Sequence, residues 1–202
     1  MAWQDRLKRW VLRFADASIA VSEALARDLA TPSVVIPNAY RDNLFRRLPE
    51  VPRDRELVFV GRLVSDKGAD ILLRALALLE REGLVPGLTV VGDGPERGAL
   101  ARLAAELGLR ERVHFLGTRT GEELVRTLNQ HQIQVVPSRY HEPFGIVALE
   151  GIACGCAVIG TAGGGLPEAI GPCGLLVPNE DVPALGAAIA RLLREPRTRE
   201  RF

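Results

Sequence analysis

The sequence predicts an α/β fold in which an open parallel sheet carries helices on both of its faces. Short apolar runs without polar alternation recur from residue 57 onward, which is typical of strands that are buried on both sides. Amphipathic stretches separate these runs, and strict alternation of strand and helix predicts parallel strands joined by helical crossovers. The predicted strands cover residues 57–60, 88–91, 113–116, 133–136, 157–160 and 174–177.

Turn and cap residues indicate where the predicted helices begin and end. Pro95 occupies the place of a first-turn proline, and Gly108 stands where the same helix should end. Thr120 and Glu123 have the spacing of a capping box, in which each side chain satisfies a backbone amide near the other. The predicted helices cover residues 66–82, 95–107, 121–130, 145–154, 167–170 and 182–194.

Residues 1–50 have a different pattern, and we predict a boundary at residue 50 that separates them from a domain over residues 51–202. One strand at 18–21 and a helix capped by Ser22 are expected there, followed by the apolar stretch 34–36 and a turn at Pro37-Asn38. This strand has no evident partner, which predicts an unstable sheet edge or self-association. The polar, proline-containing stretch 48–56 is predicted to be a linker.

A first helix is expected before this strand. Its apolar face carries two tryptophans among basic residues, and two interpretations stay open. It attaches the protein to the inner face of a membrane, or it packs on a neighbouring domain. The apolar side chains that share this face are Trp3, Leu7, Trp10, Val11 and Phe14.

Composition excludes several classes of protein. The 202 residues carry 26 Lys and Arg against 25 Asp and Glu, and a net charge of +1 gives no reason to expect nucleic acid as a partner. Cys154, Cys156 and Cys173 form no C-x-x-C pair, and we interpret them as reduced thiols of a cytoplasmic protein. No apolar run reaches the roughly 18 residues of a membrane span.

One acidic residue stands out inside the predicted helix 145–154. That helix is apolar almost all round, which indicates burial, yet Glu150 lies in its middle. Burying a carboxylate is costly unless the group is paired or hydrogen-bonded. Two interpretations stay open: a structural salt bridge to an arginine, or a carboxylate that faces the hydroxyl groups of a ligand.

Glu142 lies eight residues before Glu150, in the loop that opens the same helix. The amides of Phe144, Gly145 and Ile146 would be free at the helix N-terminus, where they form a site for an anion. At about 1.5 Å per residue the two carboxylates are about 12 Å apart. This layout fits a nucleoside diphosphate sugar, with the diphosphate between two hydroxyl-binding carboxylates.

Two cations follow the first predicted strand of the larger domain. Arg62 comes directly after Gly61, and Lys67 falls in the first turn of the next predicted helix, after Asp66. A cation at that place opposes the helix dipole. Lys67 is either an exposed lysine that the helix tolerates, or it converges with Arg62 on a diphosphate.

Other motifs carry weaker signals. Gly163-Gly164-Gly165 would let the backbone approach a ligand closely, but a loose turn explains these glycines equally well. The turn at Gly92 is similar to a dinucleotide-binding turn, but Pro95 interrupts it and no clear ribose-binding acid follows. His114 is expected in a strand, and His131 and His141 in or beside loops. The sequence has no metal-ligand spacing, no D-x-D pair and no serine nucleophile motif, so no metal is expected.

Several segments resemble the retaining family-4 glycosyltransferases of the GT-B fold in both order and spacing. The most specific is E-x7-E, which runs from Glu142 to Glu150, and the resemblance extends from about residue 17 to the C-terminus. The stretch VVIPNAYRDNLF is similar to the family's interdomain passage, with Ala39 where glycine is usual. The remaining segments are VGRL followed by KG, VVGDGPE, VHFLG and VVPSRYHEPFGIVALEGIACGCAVIGTAGGGLPE.

The resemblance implies that the chain is the C-terminal, Rossmann-like half of a GT-B fold, with a remnant of the partner domain at its N-terminus. It implies that Arg62, Lys67 and Glu142 are catalytic, with Arg62 and Lys67 on the diphosphate of the donor. The implied donor-binding residues are Gly61, Arg62, Lys67, Leu116, Thr118, Arg119, Glu142, Phe144, Gly145, Ile146 and Glu150. Of these, Glu142 and the backbone of Phe144 and Gly145 would bind the sugar, and the Ile146 amide would bind a phosphate. Glu150 would bind the ribose, and the loop 116–119 would border the base.

The implied activity is transfer of a sugar from a nucleotide-diphosphate sugar to an acceptor hydroxyl, with the anomeric configuration retained and no cofactor or metal. The acceptor, a glycan, a lipid or a small molecule, would bind an N-terminal domain of which this chain has only the last elements. The alternative is a subunit that binds nucleotide sugars without transferring them. An epimerase would need further acid or base groups near Glu142, and none is evident.

Overall fold

A computed structural model describes residues 10–11, 14–29, 31–199 and 201–202. Within these residues, six parallel strands form the main sheet, and the predicted α/β fold is confirmed. Two further strands pair in a small separate sheet near the N-terminus. In chain order the strands are β1 Ser18–Ala20, β2 Ser33–Val35, β3 Arg55–Val60, β4 Leu88–Val91, β5 Val113–Gly117, β6 His131–Val136, β7 Ala157–Thr161 and β8 Gly174–Val177.

Helices connect the strands of the main sheet, as the alternating pattern predicts. They are α1 Glu23–Asp28, α2 Ala69–Arg81, α3 Arg97–Glu106, α4 Gly121–Asn129, α5 Ile146–Ala153, α6 Leu166–Ile170, α7 Val182–Arg194 and α8 Pro196–Arg199. The predicted helix 66–82 is wrong at its start, because Ser65–Lys67 form a 3-10 turn and Gly68 separates this turn from α2. Helix α3 likewise begins after Pro95, at Arg97.

The order of the strands places a crevice in the middle of the main sheet. That order is β5-β4-β3-β6-β7-β8, so successive strands are added outward in opposite directions from β3 and β6. Leu57 pairs with Ile133 and Val58 with Gln134 across this central pair. Open parallel sheets bind ligands at such a reversal, outside the carboxyl ends of the strands. The loops after β3 and β6 are therefore where a site is expected.

Both faces of the sheet are covered by apolar packing. On one face, α2, α3 and α7 pack over the strands in the largest core cluster, which includes Leu57, Ile133 and Ile189. On the other face, α4 and Phe45 cover Val58, while α5 and α6 cover the β6–β7 side. Burial on both faces explains why the strands read as continuous apolar runs in the sequence.

Two cap predictions have different outcomes. Gly108 follows α3 with a left-handed φ of 79°, so the predicted end of this helix is confirmed. Thr120 does precede α4, but its side chain caps no amide. The predicted capping box is therefore wrong, and the Glu123 carboxylate lies 3.9 Å from Nε of Arg119.

The small sheet corrects the expectation of an unpaired strand. β1 pairs in parallel with β2, and Ile19 lies opposite Val34. Both side chains are exposed, so this sheet presents an apolar face. Ser22 caps α1 by accepting a hydrogen bond from the amide of Leu25, as predicted. Self-association through these elements stays a prediction.

The predicted first helix lies mainly outside the described residues. Of its apolar face, Trp10, Val11 and Phe14 are described and exposed, and the rings of Trp10 and Phe14 meet edge to face at 5.1 Å. No helix in the described ranges is long and apolar enough to cross a membrane.

The predicted linker 48–56 is hydrogen-bonded to residues of the larger domain. Asn129 accepts a hydrogen bond from the amide of Leu48 and donates to the carbonyl of Arg46, while Arg53 donates to the carbonyl of Cys154. Val51 is buried, and residues 55 and 56 belong to β3, which corrects the end of the linker. The domain boundary at residue 50 stays a prediction.

Candidate functional site

An ion pair occupies the crevice between the loops that follow β3 and β6. Nζ of Lys67 lies 2.5 Å from Oε1 of Glu142, and the Ser138 hydroxyl donates to the same oxygen at 2.7 Å. Glu142 is almost fully buried, while Lys67 keeps 29% of its side chain exposed. The structure thus brings together two residues that the sequence placed in separate motifs. It adds Ser138, which sequence reasoning missed although a hydroxyl after a central strand is a signal for a site.

A close backbone approach positions Lys67. Gly68 has a φ of 66°, and a Cβ on it would lie 2.0 Å from the carbonyl oxygen of Pro137. Only glycine allows this turn to lie against the loop after β6. Lys67 ends the 3-10 turn directly before α2 and does not lie in the first turn of that helix as predicted.

Arg139 ties the same two loops together. Its Nη1 and Nη2 donate to the two carboxylate oxygens of Asp70, each at 2.7 Å. Nη1 also donates to the carbonyl of Ser65, Nε donates to Glu180, and the backbone amide of Arg139 donates to the carbonyl of Asp66. The hydrogen bond from Arg139 holds the pKa of Asp70 below its usual value of 3.8, although burial opposes this effect. Arg139 was not predicted as a site residue.

The loop that carries Arg62 is supported by the glycines of the turn after β4. A Cβ on Gly92 would lie 1.9 Å from the carbonyl oxygen of Gly61, and one on Gly94 would lie 2.4 Å from that of Leu63. This turn therefore serves loop packing, in agreement with the sequence interpretation against a dinucleotide site. Arg62 is exposed, and its guanidinium forms no ion pair with any residue that the structure describes.

The N-terminus of α5 follows the loop after β6, at the carboxyl ends of the central strands. Gly145 precedes the helix with a φ of 108° and offers no side-chain cap. Within the described chain, the N–H groups of Phe144, Gly145 and Ile146 make no backbone hydrogen bond. Such amides form a site for an anion. The predicted separation of about 12 Å between Glu142 and Glu150 assumed helical rise throughout, and this is corrected because the helix begins only at Ile146.

Glu150 lies on α5, which is less buried than predicted. Only Ala148 and Gly151 of this helix are buried, and 39% of Ile146 is exposed. Glu150 is half-buried and forms no ion pair in the part of the chain that is described. Burial raises the pKa of its carboxyl, and the positive charge of Arg41 offsets part of that shift. Of the two interpretations, the structural salt bridge to an arginine is not found among the described residues.

The predicted base-binding loop lies farther along the sheet. Leu116 belongs to β5 and packs against the second core cluster, while Thr118 is exposed. Arg119 donates to the carbonyl of Thr118. Because β4 separates β5 from β3, this loop lies two strands from Gly61. No hydrogen bond or ion pair of the described residues joins it to the Lys67–Glu142 pair.

The triple glycine packs closely against protein backbone. The amide of Gly165 donates to the carbonyl of Glu142 at 2.7 Å, and a Cβ on Gly164 would lie 2.3 Å from the same oxygen. These glycines therefore allow the turn before α6 to pack against the loop that carries Glu142.

The remaining titratable candidates are structural. His131 lies in β6 and not in a loop, fully buried between the Thr89 hydroxyl and the carbonyl of Thr127, and burial lowers its pKa to about 4. Burial raises the pKa of the Cys154 thiol to about 12 and that of Cys156 to about 11. No group of three or more His, Cys, Asp or Glu that could hold a metal occurs among the described residues.

Comparison with known proteins relates this geometry to one family. The family model "Glycosyl transferases group 1" matches residues 40–202. The D-inositol 3-phosphate glycosyltransferase of Mycobacterium ulcerans (strain Agy99) is 41% identical over 152 residues, covering 71% of this chain and 31% of that protein. The relative of the same name from Mycobacterium sp. (strain KMS) is 43% identical over 160 residues, covering 74% and 35%. The chain thus spans about a third of the length of these curated relatives.

Two solved structures share the fold of this chain. Sucrose-phosphate synthase from Thermosynechococcus elongatus superposes with a TM-score of 0.83 and 33% identity, covering 97% of this chain and 53% of the other. Anabaena HepE in complex with UDP-glucose superposes with a TM-score of 0.83 and 26% identity, covering 97% and 59%.

Proposed function

We propose a function from the premise that the chain belongs to the glycosyl transferases group 1 family. The fold is that of one half of a GT-B glycosyltransferase, as the resemblance implied. In this proposal the chain binds a UDP-sugar and supplies the donor half of a retaining glycosyltransferase. The observation that carries it is the pairing of Lys67 with Glu142 beside the free amides of α5, at the sheet reversal.

The diphosphate of the donor lies between cations and amides in this proposal. Lys67 reaches it from the 3-10 turn, Arg62 offers a planar fork from the adjacent loop, and the Ile146 amide donates from the start of α5. As the bond to the sugar breaks, negative charge grows on the diphosphate, and donors fixed in place stabilise it more in the transition state than in the ground state. These groups supply the positive charge that a metal would otherwise bring.

The two carboxylates recognise hydroxyl groups in this proposal. Glu142, held by Ser138 and Lys67, accepts from the sugar together with the backbone of Phe144 and Gly145. Glu150 accepts hydrogen bonds from the ribose hydroxyl groups. These bonds give a partner to a half-buried carboxylate that has no ion pair among the described residues. The loop with Leu116, Thr118 and Arg119 borders the base.

The choice of UDP rests on a relative. HepE, at 26% identity, was solved with UDP-glucose. The acceptor, a glycan, a lipid or a small molecule, binds outside this chain in our proposal, because the match covers only 31% of the length of the curated relative. An inositol phosphate is one candidate, since the relatives are named D-inositol 3-phosphate glycosyltransferases.

Titration calorimetry with UDP and UDP-glucose, each with and without EDTA, tests this proposal. We expect Glu150→Gln to weaken the binding of both ligands and Glu142→Gln to weaken the binding of UDP-glucose only. EDTA should change neither affinity. Glu106→Gln, an exposed substitution on α3, serves as the control. If the wild-type chain binds neither ligand, the proposal is wrong.

Slow hydrolysis of UDP-glucose tests catalysis. NMR identifies which anomer of glucose is released first. Retention predicts the α-anomer, and the β-anomer first would contradict it. A chain that binds the donor, but neither hydrolyses it nor transfers the sugar once an acceptor half is supplied, is the non-catalytic subunit of the alternative.

A further inference from the structure

Helix α1 is fastened to the loops around Glu142 by two side chains. The Glu168 carboxylate, on α6, accepts hydrogen bonds from the backbone amides of Glu23 at 2.8 Å and Ala24 at 2.9 Å. The Ser22 hydroxyl is fully buried; it accepts from the Leu25 amide and donates to the carbonyl of Pro143 at 2.7 Å. These contacts join parts of the chain that are more than a hundred residues apart in sequence.

The packing around the Ser22 hydrogen bond is tight. Gly165 lies between the two segments, and a Cβ on it would lie 2.4 Å from the Pro143 carbonyl oxygen and 2.8 Å from the Ser22 hydroxyl. The Gly165 amide meanwhile donates to the carbonyl of Glu142. The carbonyls of Glu142 and Pro143 are therefore both held, one by the turn before α6 and the other by Ser22.

We infer that Glu168 and Ser22 act as positioning residues: they form a clasp that docks α1 on the loop 141–145 and so holds Glu142 in place for the sugar of the donor. This inference rests on the proposed function. Glu168 holds α1 through charge-assisted hydrogen bonds, which are stronger than neutral ones. Ser22 passes the constraint to Pro143, the neighbour of Glu142. Within the described residues, the side chains of Glu168 and Ser22 form no hydrogen bond with α5, where Glu150 lies, so the clasp affects recognition of the sugar and not of the nucleoside.

Amide hydrogen exchange of the whole chain without ligand tests the clasp directly. Glu168→Ala should speed exchange at residues 22–28 and also at residues 141–145, while Glu106→Ala, an exposed glutamate on α3, should leave both segments unchanged. Ser22→Ala should speed exchange at 141–145 as well. If Glu168→Ala leaves exchange at 141–145 at the wild-type rate, the inference is wrong.

Ligand selectivity separates positioning from general loss of stability. Calorimetry on Glu168→Ala should show UDP-glucose binding weakened about fivefold with UDP binding unchanged. Glu168→Gln, which keeps the shape and one carbonyl acceptor, should show a smaller loss. In Ser22→Ala combined with Glu168→Ala the two losses should not add, because both break one clasp. Equal weakening of UDP and UDP-glucose would overturn the inference. Failure of the wild-type chain to bind either ligand would overturn the proposed function, and exchange would still decide the clasp.

Discussion

Replacing Arg139 with Gln removes the side chain that ties the loop after β6 to the turn carrying Lys67. The substitution deletes two charge-assisted hydrogen bonds to Asp70 and one each to Ser65 and Glu180. A hydrogen bond to a charged group contributes about 1.5–3 kcal/mol, and less where water competes. Because Arg139 and Asp70 are 29% and 25% exposed, we expect a total loss of about 2–3 kcal/mol in the free energy of unfolding.

The pH dependence distinguishes this ion pair from a general loss of packing. The pKa of Asp70 lies below its usual value of 3.8 because Arg139 donates to it. A carboxylate whose folded pKa is lowered stabilises the fold above its unfolded pKa, and this stabilisation disappears as the pH falls through the lower, folded pKa. The difference between the wild type and Arg139→Gln should therefore be constant from about pH 5 to about pH 7 and shrink below about pH 4.

Urea unfolding followed by circular dichroism measures this difference. Arg139→Lys keeps the positive charge but not the two-pronged geometry, so we expect it to recover only part of the loss. Arg74→Gln, on the exposed side of α2, should leave the urea midpoint unchanged. A loss below about 0.5 kcal/mol for Arg139→Gln, or a loss that persists undiminished below about pH 4, would refute the role given to Arg139.

Two more residues make stability and binding testable. Burial lowers the pKa of His131 to about 4. Between pH 7 and pH 5 the unfolded chain therefore takes up a proton that the folded chain does not bind, and the free energy of unfolding should fall by about 2 kcal/mol. If the stability of His131→Leu depends on pH as that of the wild type does, this prediction is wrong. Gly164→Ala should weaken the binding of UDP-glucose roughly tenfold, because the added Cβ would lie 2.3 Å from the Glu142 carbonyl oxygen. Gly83→Ala has a similar left-handed φ with open space around it and should not affect binding.

Local periodicity was sufficient to predict the strands of the main sheet, because parallel strands with both faces covered need continuous apolar runs. It was less informative where two partners compete for one side chain. Glu123 has the spacing of a capping residue, but Arg119, one turn away on the same side, offers it an opposite charge. β1 looked unpaired because its partner β2 is short and lies beyond α1, and nothing local specifies that pairing.

The sequence singled out Lys67 and Glu142 separately but did not predict that they form an ion pair. Lys67 and Glu142 follow β3 and β6 in separate motifs, and only the strand order makes these two strands neighbours. Arg139 was missed because an arginine in a loop carries no signal until its partner Asp70 is brought to it from α2. Ser138 was missed although its place directly after a central strand is a signal for a site.

The central claim is that a UDP-sugar completes the crevice around Lys67 and Glu142, and a crystal structure of the chain with UDP-glucose tests it most directly. The account predicts the diphosphate within hydrogen-bond distance of Lys67 Nζ and the Ile146 amide, the glucose on Glu142 and the ribose on Glu150. A nucleotide bound elsewhere on the sheet, with Glu150 facing only water, would contradict it.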